Sequence, residues 1–237
     1  MGAVVVHAPD VAPELGAADV IVRTLLAVPG TGGSLVRRLV DIPPGGSFAG
    51  TAGPAGELWF VISGQASLAV GDWPAIAAGP RCGLHVPPGA SYLLRAAAAD
   101  PVQIDAVTLP GRDAQPGPDR PPAAADLREC PAEVTGDRRF RVLFGPGRGC
   151  DEATQFVGEI PPGRAPEHSH PYDEVVLVLA GAGVAHAGGA DYDLACGSCV
   201  HLPPGTGHCL ENTGPATLVV LGVFHPGGSP AAKTPAS

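Results

Sequence analysis

A chain of 237 residues has room for one large or two small domains with a buried core, and its formal net charge of −9, with only 14 Lys plus Arg, offers nucleic acid no basic stripe. An anionic membrane surface would repel the same charge, so both partners are excluded and a small molecule is the expected one. Aromatics make up only 5% while 34 Gly and 28 Pro accompany abundant Ala, Val and Leu, a composition of many short strands and turns and not of long helices or disorder.

At the N-terminus the apolar cluster Ala3 to Val6 runs into His7, Pro9 and Asp10, too early for a signal peptide or a spanning helix. Met1-Gly2 opens like a myristoylation site, but Val6 stands where Ser or Thr is needed. Short apolar runs, many of them β-branched and bounded by Gly or Pro, then predict strands at Val20 to Ala27, Leu35 to Ile42, Leu58 to Ser63, Ala66 to Val70, Gly83 to Val86 and Val102 to Leu109. The cluster Ala96 to Asp100 is too short for a helix and stops at Pro101. Pro110 to Asp126 holds five prolines with Gly, Asp and Arg and reads as an extended connector. Beyond it, strands are predicted at Phe140 to Phe144, Thr154 to Ile160, Val175 to Ala180, Val184 to Ala187, Ser198 to Leu202 and Thr217 to Phe224. Pro226 to Ser237 lacks a hydrophobic pattern and reads as a loose tail. The expected organisation is a first domain over 1–110, a linker over 111–126, a second domain over 127–225 and a tail over 226–237.

The six cysteines, Cys82, Cys130, Cys150, Cys196, Cys199 and Cys209, read without a signal peptide as reduced thiols, which makes the cytoplasm the expected location. Cys196-Gly197-Ser198-Cys199 has C-x-x-C spacing, but no second pair accompanies it, and ordinary buried thiols are the plainer reading.

The second half repeats the first. Ile42-Pro43-Pro44-Gly45 recurs 118 positions later as Ile160-Pro161-Pro162-Gly163, Glu57 to Gly64 recurs 117 positions later as Glu174 to Gly181, and Val86-Pro87-Pro88-Gly89 recurs 116 positions later as Leu202-Pro203-Pro204-Gly205. The drift of one residue per interval is that of single-residue changes in loops.

Chemistry concentrates in the second copy. His168 and His170 stand one residue apart on an extended segment, so the pleat sends both imidazoles to one side, where they can reach one ion. Glu174 follows across a Pro171-Tyr172-Asp173 turn signal and can add a carboxylate oxygen to the same point, while His208 ends the Pro- and Gly-shaped bend that starts at Pro203. Three neutral nitrogens and one anionic oxygen leave a +2 ion with one net positive charge and, in octahedral geometry, two open positions.

Gly163, His168, His170, Glu174 and Gly181, followed by Gly197, Pro203, Gly205, His208 and Asn212, have the spacing of both signature motifs of the cupin superfamily, which this sequence resembles. Four residues separate Gly163 from His168 where five are usual. The resemblance implies an all-β fold of two tandem cupin barrels (double-stranded β-helix, jelly-roll), a bicupin. It implies one divalent transition metal in the C-terminal barrel on His168, His170, Glu174 and His208, with Fe2+ favoured and Mn2+, Ni2+, Co2+ or Zn2+ compatible. It further implies a quercetinase- or germin-like dioxygenase acting on a small chelating substrate, with Glu174 also catalytic as proton acceptor. A non-redox isomerase, decarboxylase or hydrolase and a non-catalytic small-molecule-binding barrel are the alternatives.

Carried back across the repeat, the four ligand positions fall on Thr51, Gly53, Glu57 and Tyr92, with Ala96 opposite Asn212. One glutamate with a tyrosine cannot match three imidazoles and a carboxylate, so the first barrel is expected to be metal-free and structural, presenting a sheet face to the second barrel or to a partner subunit, as in a homodimer. Among neighbours of the motif, Asp173 and Tyr172 read as turn residues or as groups behind the ligands, and Arg164 as a loop arginine or the partner of a substrate carboxylate. His186 reads as a satisfied core histidine, or else as a hydrogen-bond donor behind the ligands, and His7, His85, His201 and His225 as structural.

Overall fold

A computed structural model describes residues 2–30, 32–111, 120–232 and 234–235. Its regular structure is strand, apart from the single 3-10 turns Ala8–Asp10 and Ala17–Asp19, so the chain is all-β. All twelve predicted strands are present. Among the described residues no helix is long and apolar enough to cross a membrane.

The chain divides into two compact units, Val11–Glu129 and a second made of Met1–Asp10 with Cys130–Ser237. Two of the expected boundaries are therefore corrected. The N-terminal strand Val4–His7 pairs antiparallel with Ser198–Leu202 of the second unit, Val4 opposite His201 and His7 opposite Ser198. A strand of that sheet would otherwise present unpaired N–H and C=O groups, and Val4 to His7 is long enough to satisfy them. At the other side of the division, Ala123–Asp126, expected within the linker, pairs with Cys82–Val86 of the first unit. The middle of the expected linker, residues 112–119, lies outside the described residues. The tail contributes Thr234–Pro235, which pairs with His168–Ser169.

Each unit is a jelly roll of two sheets. In the first, a seven-stranded sheet runs Ala123–Asp126, Cys82–Val86, Glu57–Ser63, Val102–Thr108, Gly33–Ile42, Ile21–Gly30, Glu14–Leu15, and faces a four-stranded one. Its core packs Val40, Trp59, Leu68, Leu84, Leu94 and Ile104. In the second, the seven-stranded order is Val4–His7, Ser198–Leu202, Asp173–Ala180, Leu218–His225, Thr154–Ile160, Arg138–Phe144, Glu133–Thr135. The opposite sheet carries Ala182–Ala187 and His208–Asn212 at its centre. Strand alternation fills the space between with Val176, Val178, Ala185, Leu202, Leu210 and Val220.

The repeat read in the sequence is a repeat of register. Glu57 sits opposite Val86 and Thr108 in the first unit, and Glu174 sits opposite Leu202 and Phe224 in the second. Each glutamate thus opens a central strand at the same rim. Gly181, the motif glycine that closes this strand, has φ +88°, and a Cβ there would come within 2.9 Å of the Leu218 Cα, so both conformation and space require glycine.

Candidate metal centre

The second unit brings the four predicted side chains together. His168 stands opposite His208 in the register, His170 follows two residues on, and the three rings lie with centroids 4.6 to 5.4 Å apart. One nitrogen from each lies within 4.8 Å of the others, the only such group of three or more His, Cys, Asp or Glu donors among the described residues. Glu174 Oε2 approaches from the facing sheet, 3.3 Å from His208 Nε2 and 3.8 Å from His170 Nε2. His170, Glu174 and His208 are buried and His168 is half-buried.

Backbone carbonyls set two of the ring tautomers. A carbonyl can only accept, so His168 Nδ1 donates to Pro166 O at 3.1 Å and His208 Nδ1 donates to Thr206 O at 2.8 Å. In the neutral rings the lone pairs are then on Nε2, the atom His208 turns toward Glu174. Glu174 Oε2 is buried and makes no hydrogen bond. Burial pushes the Glu174 carboxyl upward, but the contact to His208 and the charges of His208, His170 and His168 outweigh it, and its pKa lies below the ordinary value. The converse holds for His208: burial pushes the imidazolium down, and Glu174 more than restores it. An anionic oxygen without a donor, set against imidazole lone pairs, is an arrangement that a cation completes, so these residues fit a divalent transition metal.

Packing behind the ligands fixes His170. Tyr172 stacks on its ring at 5.0 Å with 10° between planes and donates its hydroxyl to Ser229 O, and Phe224 packs at 5.2 Å. Gly228 leaves room for this clamp, since a Cβ there would fall 2.3 Å from the Tyr172 ring. Asp173 points away from the cluster and meets His201 Nε2 at 2.7 Å. Asn212 closes the second motif structurally, donating to Ile160 O and Ala216 O. His186 departs from the core role expected of it: it is half-buried and bridges Asp191 and Glu211 at 2.6 and 2.8 Å.

Above the cluster opens a cavity of about 80 Å³ walled by Phe140, Phe156, Leu202, Leu210, Val220 and Phe224, together with His168, His170, Glu174 and His208. A more open hollow of about 300 Å³ shares Phe140 and Pro230 with it and holds none of the four donors. Arg164 is exposed, opposite Glu211, and is not a wall of the cavity. Arg138, from the strand Arg138–Phe144, is a wall instead. Sequence reasoning passed over it because no motif contains it; its alternation with Phe140 was the available signal.

In the first unit the corresponding place is filled. The register puts Gly50, not Thr51, opposite Tyr92, as His168 is opposite His208. A Cβ on Gly50 would lie 2.6 Å from the Tyr92 hydroxyl, and Phe48 and Trp59 pack on the same ring at 5.7 and 4.7 Å. Glu57 accepts from Trp59 Nε1 at 2.6 Å and from Thr108 Oγ1 at 3.2 Å, and burial raises its pKa despite these donors.

Comparison with known proteins agrees with this architecture. Residues 156–224, within the second unit, match the family model described as Cupin domain. No curated protein matches the sequence. Among solved structures, the chain is similar to a glyoxylate induced protein of Pseudomonas aeruginosa (16% identity, TM-score 0.80, covering 96% of this chain and 90% of that one). It is similar also to Bacillus subtilis oxalate decarboxylase (14% identity, TM-score 0.78, 98% and 78%) and to the protein Ylba of E. coli (14% identity, TM-score 0.76, 94% and 90%). At these identities the likeness establishes the jelly-roll fold alone.

Proposed function

We propose that the second unit holds one divalent transition metal on His168, His170, Glu174 and His208, iron(II) first among the compatible ions, and acts on a small chelating organic molecule. The observation that carries this reading is Glu174 Oε2, a buried carboxylate oxygen without a hydrogen bond, facing imidazole nitrogens across 3.3 and 3.8 Å. Bound there, the metal would supply Lewis acidity and open positions for a chelating substrate and dioxygen. The chain's own part is then to shape and dry the site: Phe140, Phe156, Leu210 and Phe224 exclude water, and Tyr172 with Phe224 holds the His170 ring in place. Glu174 is positioned to take a proton from a substrate hydroxyl or acid.

Oxygen-dependent oxidation is the favoured reaction. A non-redox decarboxylation is the second reading, supported by the small cavity and by the likeness to oxalate decarboxylase. The first unit is, on this proposal, a degenerate copy without metal, supported by Gly50 and Tyr92 at ligand positions and by Glu57 already engaged. A small-molecule partner, a homodimer through sheet faces and a cytoplasmic location belong to the same proposal. The test is elemental analysis of protein purified without added metal, followed by a screen of small chelating acids with oxygen uptake recorded. Stoichiometric metal with oxygen consumption supports the reading, turnover under anaerobic conditions moves it to the non-redox branch, and full turnover by chelator-stripped protein ends it.

A further inference from the structure

We infer that Arg138 is the specificity-determining cation of this cavity and that the ligand it selects is a small carboxylate; the inference rests on the proposed metal site. Two cations line the cavity, and they differ in burial: the Arg139 side chain is 55% exposed and shares Glu159, whereas the Arg138 side chain is 15% exposed. Glu174 belongs to the histidine cluster. Glu159 is held by Arg141 at 2.8 Å, with Arg139 3.9 Å away on the same carboxylate. Arg138 has only a long contact, Nε to Asp137 Oδ1 at 3.9 Å, and the Asp137 side chain is 69% exposed.

The guanidinium is also pinned. Its Nη2 donates to Leu210 O at 2.6 Å, reaching from the strand Arg138–Phe144 to the facing strand His208–Asn212 that carries His208. Its Nε is buried and makes no hydrogen bond. A buried, undonated N–H on a fixed cation costs stability unless something accepts from it, and a carboxylate is the acceptor that matches both charge and geometry. Among the other walls Arg139 and Glu159 are engaged with each other and the four donors belong to the proposed metal, so an uncharged polar ligand would meet Thr135 but no second buried cation. The volume, about 80 Å³, is that of a few water molecules and admits an acid of about two to four carbons.

The experiment uses metal-loaded full-length protein, its Arg138→Met and Arg138→Lys variants, and Arg164→Met as a surface control. Metal content is measured first. Binding of glycolate, pyruvate and malonate, each beside its uncharged amide, is then measured by calorimetry, and by ligand-observed NMR on metal-free protein. The expected result is at least a tenfold preference for carboxylate over amide in the parent. That preference should be lost in Arg138→Met, reduced in Arg138→Lys and unchanged in Arg164→Met, with metal content equal throughout. Should Arg138→Met fail to fold, Arg138→Lys decides: a tenfold loss of carboxylate affinity supports the inference, and unchanged affinity overturns it. A parent that does not distinguish acid from amide, or an Arg138→Met variant that still does, also overturns it. Failure of the parent to retain metal sinks the metal reading separately, and the NMR arm then judges Arg138 by the same criterion.

Discussion

Arg37 and Asp105 carry their charges into the first unit with neither side chain reaching solvent, joined twice at 2.8 and 3.0 Å. Removing one partner leaves the other buried and uncompensated, so Asp105→Leu is expected to cost about 3–5 kcal/mol, whereas Arg37→Met combined with Asp105→Leu costs far less. Urea melts of the two variants check this difference. Glu57 gives a pH dependence of defined sign. Burial raises its folded pKa above the ordinary carboxyl value of 4.5, so the unfolded chain loses this proton first as pH rises. Its contribution to stability is full below about pH 4.5 and is lost as pH climbs through the folded value. Glu57→Gln should flatten the Tm-versus-pH curve over that window. In the second unit, His208→Ala should reduce metal content to substoichiometric levels by elemental analysis while the far-ultraviolet spectrum stays β-like. The four donors were legible in the sequence because alternation and turn residues fix which way short strands point. Arg138 was not, because no motif contains it and nothing local ties its strand to the histidines, and Arg164, close to His168 in sequence, lies outside the cavity.

Elements with several large or β-branched apolar residues announced themselves; those with one or two did not. Glu57–Ser63 and Asp173–Ala180 are nearly continuous apolar runs and were read directly. Ala190–Ala195 alternates Tyr192 and Leu194 inward with Asp191 and Asp193 outward, and Ser47–Thr51 has Phe48 as its one large apolar residue, so neither stood out against the surrounding turns. Val4–His7 was visible as an apolar cluster, but its partner strand lies nearly two hundred residues away, a pairing no local pattern encodes. The physical role of this strand is to cap the Ser198–Leu202 edge, where His7 Nδ1 also meets Ser198 Oγ at 2.9 Å. Deleting residues 2–9 is therefore expected to lower the melting temperature of the second unit by about 5 °C or more, followed by calorimetry.

Across the molecule, an ion bound in one unit stabilises that unit by mass action, about 4 kcal/mol when free metal is a thousandfold above Kd. Adding a chelator should lower one calorimetric transition and leave the other in place, and a single transition that does not move would contradict a bound metal. The internal repeat told of two copies but not that the second takes its first strand from the opening residues. Because the second unit is assembled from Met1–Asp10 and Cys130–Ser237, the whole of Val11–Glu129 is an insertion in its sequence. On a ribosome moving at roughly 5–20 residues per second, the opening ten residues wait on the order of ten seconds for a mate, while the inserted unit can already fold. Gene fragments split near residue 130 would accordingly yield one self-sufficient product and one missing its border strand.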